Sequence, residues 1–407
     1  MKRIRRAVQV ILGSTALAMA ADAPNKGTTT ATAAPASQAI EIMKARPLTA
    51  AEAMGTFELH SGLRLELAAA EPLVTSPVAM AFDENGRLYV AEMIDYPEAQ
   101  NKSMGRIRLL EDRDGDGRFE TSALFAEGVP FPSGLACSNG GVFVASTPEV
   151  IFLKDTNADR RADVREVVFT GFGTKVDFIP ARVFNGFVWG LDNRLYGATS
   201  RSGGLVSSAK AAKDTAAVDL RGKDFSFDPR SLTLRPESGV AQFGVTFDDF
   251  GRRFICSNSN HLIMVMYEHR YAARNPFYEL PRPLVDIPVD GPAARVFRLS
   301  PEESWRVMRT QWRVAGKARG PTEGGHTSGY FTSAGGVTIY RGDALPPEFR
   351  GDAFVAEPTN NLVHRKKFRP DGVALAAFRP NDERDTEFLR SRDTWFRPVN
   401  FANGLFK

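Results

Sequence analysis

Short apolar segments alternate with polar turns along most of this chain, and the arrangement recurs as one unit. An apolar strand, a polar turn and a second apolar strand appear in residues 78–93, 133–147, 187–200 and 243–258. The turns recur at intervals of 54 to 56 residues, at Asp83, Ser138, Asp192 and Asp248. Repeats of this length built from hairpins are typical of propeller blades.

Two further copies of the unit are less regular. A degenerate fifth copy covers residues 335–358 after a long insertion, and a sixth begins at residues 395–400. The pattern predicts an all-β fold, a six-bladed β-propeller whose last blade could be incomplete. We expect a strand near Phe57–Leu67 to close that blade, since Leu63, Leu65 and Leu67 alternate with polar residues. The alternative is a pair of β-sandwiches, which repeat less evenly.

The N-terminus has the pattern of a secretory signal. Four basic residues precede an apolar run, and Ala18-Met19-Ala20 fits the small-residue cleavage rule. The sequence therefore predicts a signal peptide over 1–20, a flexible linker over 21–55 and a propeller over 56–407, in a periplasmic or secreted protein. The apolar run is too short for a bilayer span, so we expect no membrane span in the mature chain.

Composition and charge narrow the function classes. The apolar share of 43%, with 29 Phe, can fill a sizeable core. The formal net charge is +4, and removing the four basic residues of the signal leaves a neutral chain, which gives no reason to expect nucleic acid. Cys137 and Cys256 are the only cysteines. Two buried free thiols are favoured over a disulfide, and the absence of C-x-x-C-H predicts no haem in this chain.

Two acidic loops begin 43 residues apart and suggest metal ions. Residues 112–120 follow D-x-D-x-D-G-x-x-E, which predicts a calcium site formed by Asp112, Asp114, Asp116 and Glu120. Residues 155–163 follow D-x-N-x-D-x-x-x-D, and there the candidate ligands are Asp155, Asn157, Asp159 and Asp163. Arg160 replaces the sixth-position glycine in this second loop. Calcium and a purely structural turn remain equal alternatives there.

Several stretches together resemble one known group, the propeller domain of the PVC-type haem-binding, or membrane-bound dehydrogenase, family. They cover most of residues 57–400: AAEPLVTSPVAMAFDENGRLYVAEMIDYP, GRIRLLEDRDGDGRFE, FNGFVWGLDNRLYGATS, FGVTFDDFGRRFICSNSN, YRGDALPPEFRGDAFVAEPTNNLVHR and EFLRSRDTWFRPVN. That fold is similar to the soluble glucose/sorbosone dehydrogenases, which use pyrroloquinoline quinone. The resemblance implies this cofactor and, because no cytochrome domain is present, a separate cytochrome c as electron acceptor.

One departure from the sugar dehydrogenases affects mechanism. Their segment H-x-x-G-x-x-x-x-G-x-D-x-x-x-Y is matched at Gly190, Asp192 and Tyr196, but Arg182 stands where the histidine base would be. Arginine stays protonated and cannot act as a general base at neutral pH. The catalytic base is therefore unknown.

Five residues are the candidates for lining a cofactor site: Arg182, Asn185, His326, Arg397 and Asn400. His326 lies in a polar loop of the long insertion, where a loop without function is the alternative. We expect Arg397 and Asn400 near the mouth of the central channel, where Arg397 could bind a carboxylate. The alternative for Arg397 is an ion pair with a neighbouring blade.

Two functions remain open at this point. One is a quinoprotein dehydrogenase that oxidises a small sugar or alcohol. The other is a non-catalytic propeller, stabilised by calcium, that binds a carbohydrate or a partner protein. The arginine at position 182 and the missing cytochrome domain favour the second function.

Overall fold

The chain is described by a computed structural model over residues 7–11, 46–94, 96, 103–173, 184–212, 215–318 and 325–404. Strands far outnumber helices among the described residues. In chain order the strands are β1 (Ala7–Ile11), β2 (Phe57–Leu59), β3 (Arg64–Ala69), β4 (Pro77–Phe82), β5 (Leu88–Glu92), β6 (Gly105–Glu111), β7 (Thr121–Val129), β8 (Pro132–Ser138), β9 (Gly141–Ser146), β10 (Glu149–Lys154), β11 (Val164–Phe172), β12 (Asn185–Trp189), β13 (Leu195–Ala198), β14 (Gly204–Ser208), β15 (Val218–Asp219), β16 (Asp224–Phe227), β17 (Leu234–Glu237), β18 (Val245–Phe247), β19 (Arg253–Ser257), β20 (Asn260–Val265), β21 (Leu284–Asp286), β22 (Gly335–Ile339), β23 (Ala353–Glu357), β24 (Leu362–Asp371), β25 (Ala374–Phe378) and β26 (Leu389–Ser391).

Five antiparallel sheets form the blades of a β-propeller. Blade I has the strand order β4-β5-β6-β7, and blade II has β8-β9-β10-β11 with β14 and β15 added at its outer edge. Blade III has the order β12-β13-β16-β17, and blade IV has β18-β19-β20-β21. Blade V has β22-β23-β24-β26-β2, and β25 also pairs with β24. The predicted all-β propeller is confirmed, but the prediction of six blades is wrong.

The predicted sixth repeat fails because its single segment has no strand to pair with in the described part of the chain. Residues 395–404 form no strand there. They run instead along the inner strand of blade V, where a Cβ on Gly336 would stand 2.5 Å from the carbonyl oxygen of Val399. Asn361 fixes this path, since its Nδ2 donates to the carbonyl of Phe396 at 2.7 Å.

The ring is closed by the N-terminal segment, as the sequence predicts. Strand β2 pairs antiparallel with β26, with Phe57 opposite Ser391. Beyond β2, Leu63 and Leu65 pack against blade V, whereas Ala68 and Ala69 pack against blade I. This segment therefore joins the first blade to the last. Strand β1, within the predicted signal peptide, pairs in parallel with β3; residues 1–6 and 12–45 lie outside the described residues.

The core consists of apolar layers between neighbouring blades. Between blades II and III, phenylalanines dominate, and Phe143, Phe169 and Phe225 are almost fully buried there. Each such side chain contributes about 2–3 kcal/mol through removal of apolar area from water. Both cysteines are free, Cys256 in the layer between blades IV and V and Cys137 half-buried. Burial raises the pKa of the Cys256 thiol to about 12, so that thiol stays protonated at neutral pH.

The repeated turns have a common local cause. In Asp83 and in Asp248, Oδ1 accepts two backbone N–H groups at 2.9 to 3.0 Å. Their Oδ2 atoms accept from Nε of Arg87 at 2.7 Å and of Arg252 at 2.6 Å, respectively. An aspartate at the start of a turn thus holds the first hairpin of blades I and IV. At these two of the four turns, the sequence pattern reflects this device.

Helices are few and short in the described ranges. They are α1 (Ala50–Met54), α2 (His269–Ala272), α3 (Ser304–Val314) and the 3-10 helices Pro347–Phe349 and Asn381–Glu383. Helix α1 lies within the predicted linker, where Thr49 and Glu52 form a capping box. Helix α3 belongs to the insertion between blades IV and V. Among the described helices, none has the length and apolarity needed to cross a bilayer.

Candidate metal centre

The loop over residues 112–120, called the Asp112 loop below, gathers four carboxylates. It connects β6 to β7, the third and fourth strands of blade I. Asp112, Asp114, Asp116 and Glu120 each offer one oxygen, and these oxygens all lie within 4.8 Å of one another. Asp112 is half-buried and the other three are exposed. These are the four residues that the sequence motif selects, and the fold brings them together.

The loop has this shape because its carboxylates bind its own backbone. Asp112 accepts from Gly115 N at 2.7 Å and from Gly117 N at 2.9 Å. Asp116 accepts from Arg118 N at 2.8 Å. Gly115 and Gly117 have φ of +76° and +91°, a region that glycine adopts without steric cost. The hydrogen bonds of the turn thus bring its acidic side chains together without the help of an ion.

A buried phenylalanine anchors the loop to β3 of the N-terminal segment. Phe119 packs with Ala68 and Ala69 of β3, and its N–H donates to the carbonyl of Ala68 at 2.9 Å. The loop therefore lies at the junction between the N-terminal segment and blade I. Each carboxylate oxygen has two lone pairs, so oxygens that already accept one N–H can still bind a hard cation.

The loop over residues 155–163, called the Asp155 loop, has the same position in blade II. It connects β10 to β11, and Ala162 N donates to the carbonyl of Phe125 in blade I at 2.8 Å. The described structure does not gather Asp155, Asp159 and Asp163 into a cluster like that of the first loop. Calcium binding by these residues and Asn157 stays a prediction.

Arg160 distinguishes the two loops. It has φ of +69°, so the backbone at this position adopts the left-handed conformation that glycine, the sixth residue of the first loop, adopts most easily. Its guanidinium lies 3.1 Å from Glu111, the last residue of β6. The positive charge of Arg160 therefore already lies beside Glu111, the residue next to the Asp112 loop.

The four predicted cofactor residues that the structure describes do not present a common set of free polar groups. Asn185 Nδ2 donates to the carbonyl of Gln242 at 2.8 Å, which ties blade III to blade IV. His326 is exposed in the insertion, and its carbonyl accepts from the Tyr330 hydroxyl at 3.0 Å. Arg182 lies outside the described residues. Asn400 lies beside Gly336, and its buried Oδ1 has no hydrogen-bond partner among the described atoms.

Arg397 is held by an ion pair. Its Nη2 lies 2.6 Å from Oε1 of Glu303, beside α3, and its Nη1 donates to the carbonyl of Pro358 at 2.8 Å. Glu303 also accepts from Arg306 Nε at 2.8 Å. The guanidinium of Arg397 is therefore engaged in fixing the insertion to blade V. A cofactor carboxylate would have to displace Glu303 to reach it.

The part of the sugar-dehydrogenase pattern that this chain shares has a structural role. The Tyr196 hydroxyl donates to Asp192 Oδ2 at 3.1 Å, and Gly190 N donates to the carbonyl of Arg194 at 2.9 Å. These contacts shape the first hairpin of blade III. The matched residues build a blade, so they carry no evidence for catalysis.

Glu357 is a buried carboxyl near the insertion with a shifted pKa, and its role is also structural. Burial raises the pKa of this carboxyl to about 7. It accepts from Ser333 N at 2.8 Å, just before the inner strand of blade V. Glu92 has the equivalent place in blade I, where it accepts from Thr75 N at 2.7 Å. A buried carboxylate at the same position of two blades is best explained as a support for the inner strand.

One group of side chains that could bind a metal ion was not predicted as a site from the sequence. His60, Asp382 and Glu383 each offer one ligand atom, all within 4.8 Å of one another. The sequence indicates no acidic partner for His60 at ligand spacing, because its partners lie more than 320 residues away. Only the closure of the ring brings them together.

Comparison with known proteins finds a matching family model and solved structures of low sequence identity. A family model described as "Domain of unknown function (DUF7133)" matches residues 49–404. None of the curated proteins matches the chain in sequence. The resemblance to the PVC-type haem-binding family therefore stays a prediction.

Three solved structures illustrate the similar folds. The PQQ-bound aldose sugar dehydrogenase from Streptomyces coelicolor is 17% identical, with 76% of this chain and 83% of that chain covered and a TM-score of 0.38. The pyranose dehydrogenase PQQ domain from Coprinopsis cinerea is 11% identical, with 86% and 89% covered and a TM-score of 0.41. A nidogen/laminin complex is 12% identical, with 78% and 85% covered and a TM-score of 0.38. The fold assignment rests on the strand order described above.

Proposed function

This chain belongs to the DUF7133 family, and we propose that it is a calcium-binding β-propeller in which the Asp112 loop holds the ion. The observation that supports this is the cluster of four carboxylates within 4.8 Å of one another. Calcium takes six to eight oxygen ligands, which carboxylates, backbone carbonyls and water can supply together. The predicted export to the periplasm or the exterior is part of the proposal.

The ion would have a structural role. Phe119 fixes the loop to β3, and β3 continues from the strand that closes the ring. An ion that rigidifies the loop would therefore stabilise the junction between the N-terminal segment and blade I. Ligand binding to the folded state alone raises stability by mass action. The proposal thus describes a scaffold, whose partner would be a carbohydrate or a protein.

Paired substitutions in the two loops test the proposal. Asp116→Asn removes one negative ligand from the Asp112 loop, and Asp159→Asn makes the same change in the Asp155 loop. Each aspartate accepts one backbone N–H at 2.8 Å through Oδ1, and asparagine keeps that acceptor. We expect calcium to raise the Tm of the wild-type and Asp159→Asn proteins, and Asp116→Asn to reduce calcium affinity at least tenfold. Calorimetric titration and thermal melts measure both.

A wild-type Tm that does not respond to millimolar calcium would refute the proposal. So would equal calcium binding by Asp116→Asn and the wild type. Magnesium serves as the control ion, since it demands an octahedral site and dehydrates reluctantly.

Oxidation of a sugar or alcohol with pyrroloquinoline quinone is the second candidate function, supported by the resemblance over residues 57–400. The described residues do not fit this cofactor well, because Arg397 is paired with Glu303 and Asn185 with Gln242. We therefore assign no catalytic step to it. The same purified protein provides the test: with calcium and the quinone added, reduction of a dye by a panel of sugars would support the enzyme. Absence of both cofactor retention and turnover would reject it.

A further inference from the structure

The seam that closes the propeller ring contains a second cluster of metal-binding groups. His60 follows β2, and its N–H donates to the carbonyl of Phe388 at 2.8 Å. Asp382 and Glu383 belong to the 3-10 helix that precedes β26. His60 Nε2 lies 2.8 Å from Asp382 Oδ2 and 4.0 Å from Glu383 Oε1. The two ends of the ring thus meet at three side chains, a histidine and two acids.

The tautomer of His60 is fixed by its other ring nitrogen. Nδ1 lies 2.9 Å from the carbonyl oxygen of Ser61, which can only accept, so Nδ1 carries the hydrogen. Phe349 packs edge-on against the ring with centroids 5.1 Å apart and fixes its orientation. In the neutral imidazole, Nε2 therefore directs a lone pair at a carboxylate oxygen 2.8 Å away. Two such atoms need a shared positive centre, either a proton between them or a metal ion to one side that both coordinate.

Glu383 supplies an independent sign of a missing partner. Its side chain is only 1% exposed, and Oε1 accepts from Arg365 Nε at 2.8 Å. Oε2 is buried without a hydrogen-bond partner among the described atoms. A buried carboxylate oxygen without a partner is costly, and a cation bound by both oxygens of this carboxylate would remove that cost.

Arg365 holds the two acids in place. It donates to both oxygens of Asp382, at 3.1 and 3.0 Å, and also to Asp352 at 3.1 Å. Its guanidinium lies over the ring of Phe349, 4.6 Å from the centroid. Outer groups that orient ligands in this way are typical of metal sites.

The cluster borders a cavity of about 380 Å³. Its lining includes His60, Asp382 and Glu383, together with Glu58, Ser61 and Thr386. The side chain of Asp382 is 54% exposed, which gives an ion a path from solvent. Three protein ligands beside a cavity leave room for water or a small ligand in the remaining coordination position.

We propose that His60, Asp382 and Glu383 bind one divalent transition-metal ion of the zinc type, which clasps the N-terminal strand to blade V. One imidazole and two carboxylates form a donor set that suits zinc and chemically similar ions. The ion would link residues that are 322 positions apart in the chain. A metal that closes so long a loop can stabilise the folded state substantially. The clasp is independent of calcium binding by the Asp112 loop.

The test uses the full chain without a histidine tag, stripped of metal with a chelator. We expect it to take up one zinc ion per chain, measured by elemental analysis after dialysis, and its Tm to rise by several degrees. His60→Gln is expected to lower zinc affinity at least tenfold and to remove the rise in Tm. His326→Gln, which changes an exposed histidine outside the cluster, is the matched control and should behave as the wild type.

Cobalt provides a spectroscopic readout that does not depend on stability. Visible bands of bound cobalt should appear in the wild type and be lost in His60→Gln. If His60→Gln does not fold, Asp382→Asn replaces it, because that side chain is half exposed. Unchanged zinc uptake in either variant, or no stoichiometric uptake by the wild type, would overturn the proposal and leave a proton between His60 and Asp382. Asp116→Asn should leave zinc uptake unchanged.

Discussion

The Asp112 loop and the Asp155 loop make the same five hydrogen bonds from backbone to side chain. In each loop the first-position aspartate accepts from the fourth and sixth N–H groups, at 2.7 to 2.9 Å. The third- and fifth-position side chains accept from the N–H two residues later. The ninth-position carboxylate accepts from the second N–H. Yet only the first loop gathers its acids into a cluster within the described chain.

Four differences separate the loops despite the shared bonds. The third position holds Asp114 in the first loop but Asn157 in the second. The left-handed positions hold Gly115 and Gly117 in the first loop but Ala158 and Arg160 in the second. Arg160 also brings a positive charge to Glu111. In the second loop the Thr156 hydroxyl donates to the closing carboxylate. The hydrogen-bonded turn is therefore a structural device in its own right, and metal binding needs further residues.

The largest expected effect comes from removing the first aspartate of each loop. Asp112→Ala and Asp155→Ala each delete hydrogen bonds from a carboxylate to backbone N–H groups, so we expect each to lower the free energy of unfolding by about 2 kcal/mol without calcium. With calcium, only Asp112→Ala should lose the added stability. Urea unfolding with and without calcium measures both. Loss of the calcium effect in Asp155→Ala would show that the second loop also binds the ion.

Local patterns predicted what depends on local chemistry. The hairpin turns at Asp83 and Asp248 follow from an aspartate that binds the next few residues, so their spacing revealed the blades. The Asp112 cluster was predicted for the same reason, since all its ligands lie in one turn. The closing segment near Phe57–Leu67 was also predicted, although the alternating Leu63, Leu65 and Leu67 lie at β3 and the strand that pairs with β26 is β2.

Features that depend on distant partners were not predicted. The segment at residues 395–400 has the pattern of a first strand, but a blade also needs strands to pair with it. For Arg397 the sequence left open a channel-mouth site and an ion pair with a neighbouring blade, and it could not indicate that the partner is Glu303 of the irregular insertion. His60 meets Asp382 only because the ring closes. No periodicity or spacing reports such contacts.

A smaller effect is expected from converting the second loop toward the first. Arg160→Gly relieves a left-handed conformation that costs about 1–2 kcal/mol. It also removes a surface ion pair worth about 0–1 kcal/mol. We therefore expect a net gain in stability of no more than about 2 kcal/mol. Combined with Asn157→Asp, it should raise calcium stoichiometry from one to two in a calorimetric titration.

The single variant Asn157→Asp is the control, because it adds the missing charge without changing the backbone. If the double variant still binds one ion, glycine at the sixth position and an acid at the third position do not explain why only the first loop binds calcium.

The smallest expected effect concerns the closing carboxylate of the second loop. The hydroxyl and then the backbone N–H of Thr156 donate to Asp163 and lower the pKa of that carboxyl. In the first loop Arg113 stands at the same position and has no hydroxyl, so Glu120 keeps an oxygen for an ion. Thr156→Val retains the branched shape and removes only the hydroxyl. The pKa of Asp163 should then rise toward its ordinary value while staying below it, because the N–H bond at 2.8 Å remains.

The sign of the linked stability effect follows from the lowered pKa. A carboxyl whose pKa is lower in the folded protein contributes stability above its unfolded pKa and loses it as pH falls through the folded value. The advantage of the wild type over Thr156→Val should therefore be present at neutral pH and vanish in acid. Carboxyl-carbon NMR titration of Asp163 gives the pKa directly. An unchanged pKa in Thr156→Val would mean that the hydroxyl does not occupy the closing carboxylate, and that the glycines and charges alone distinguish the two loops.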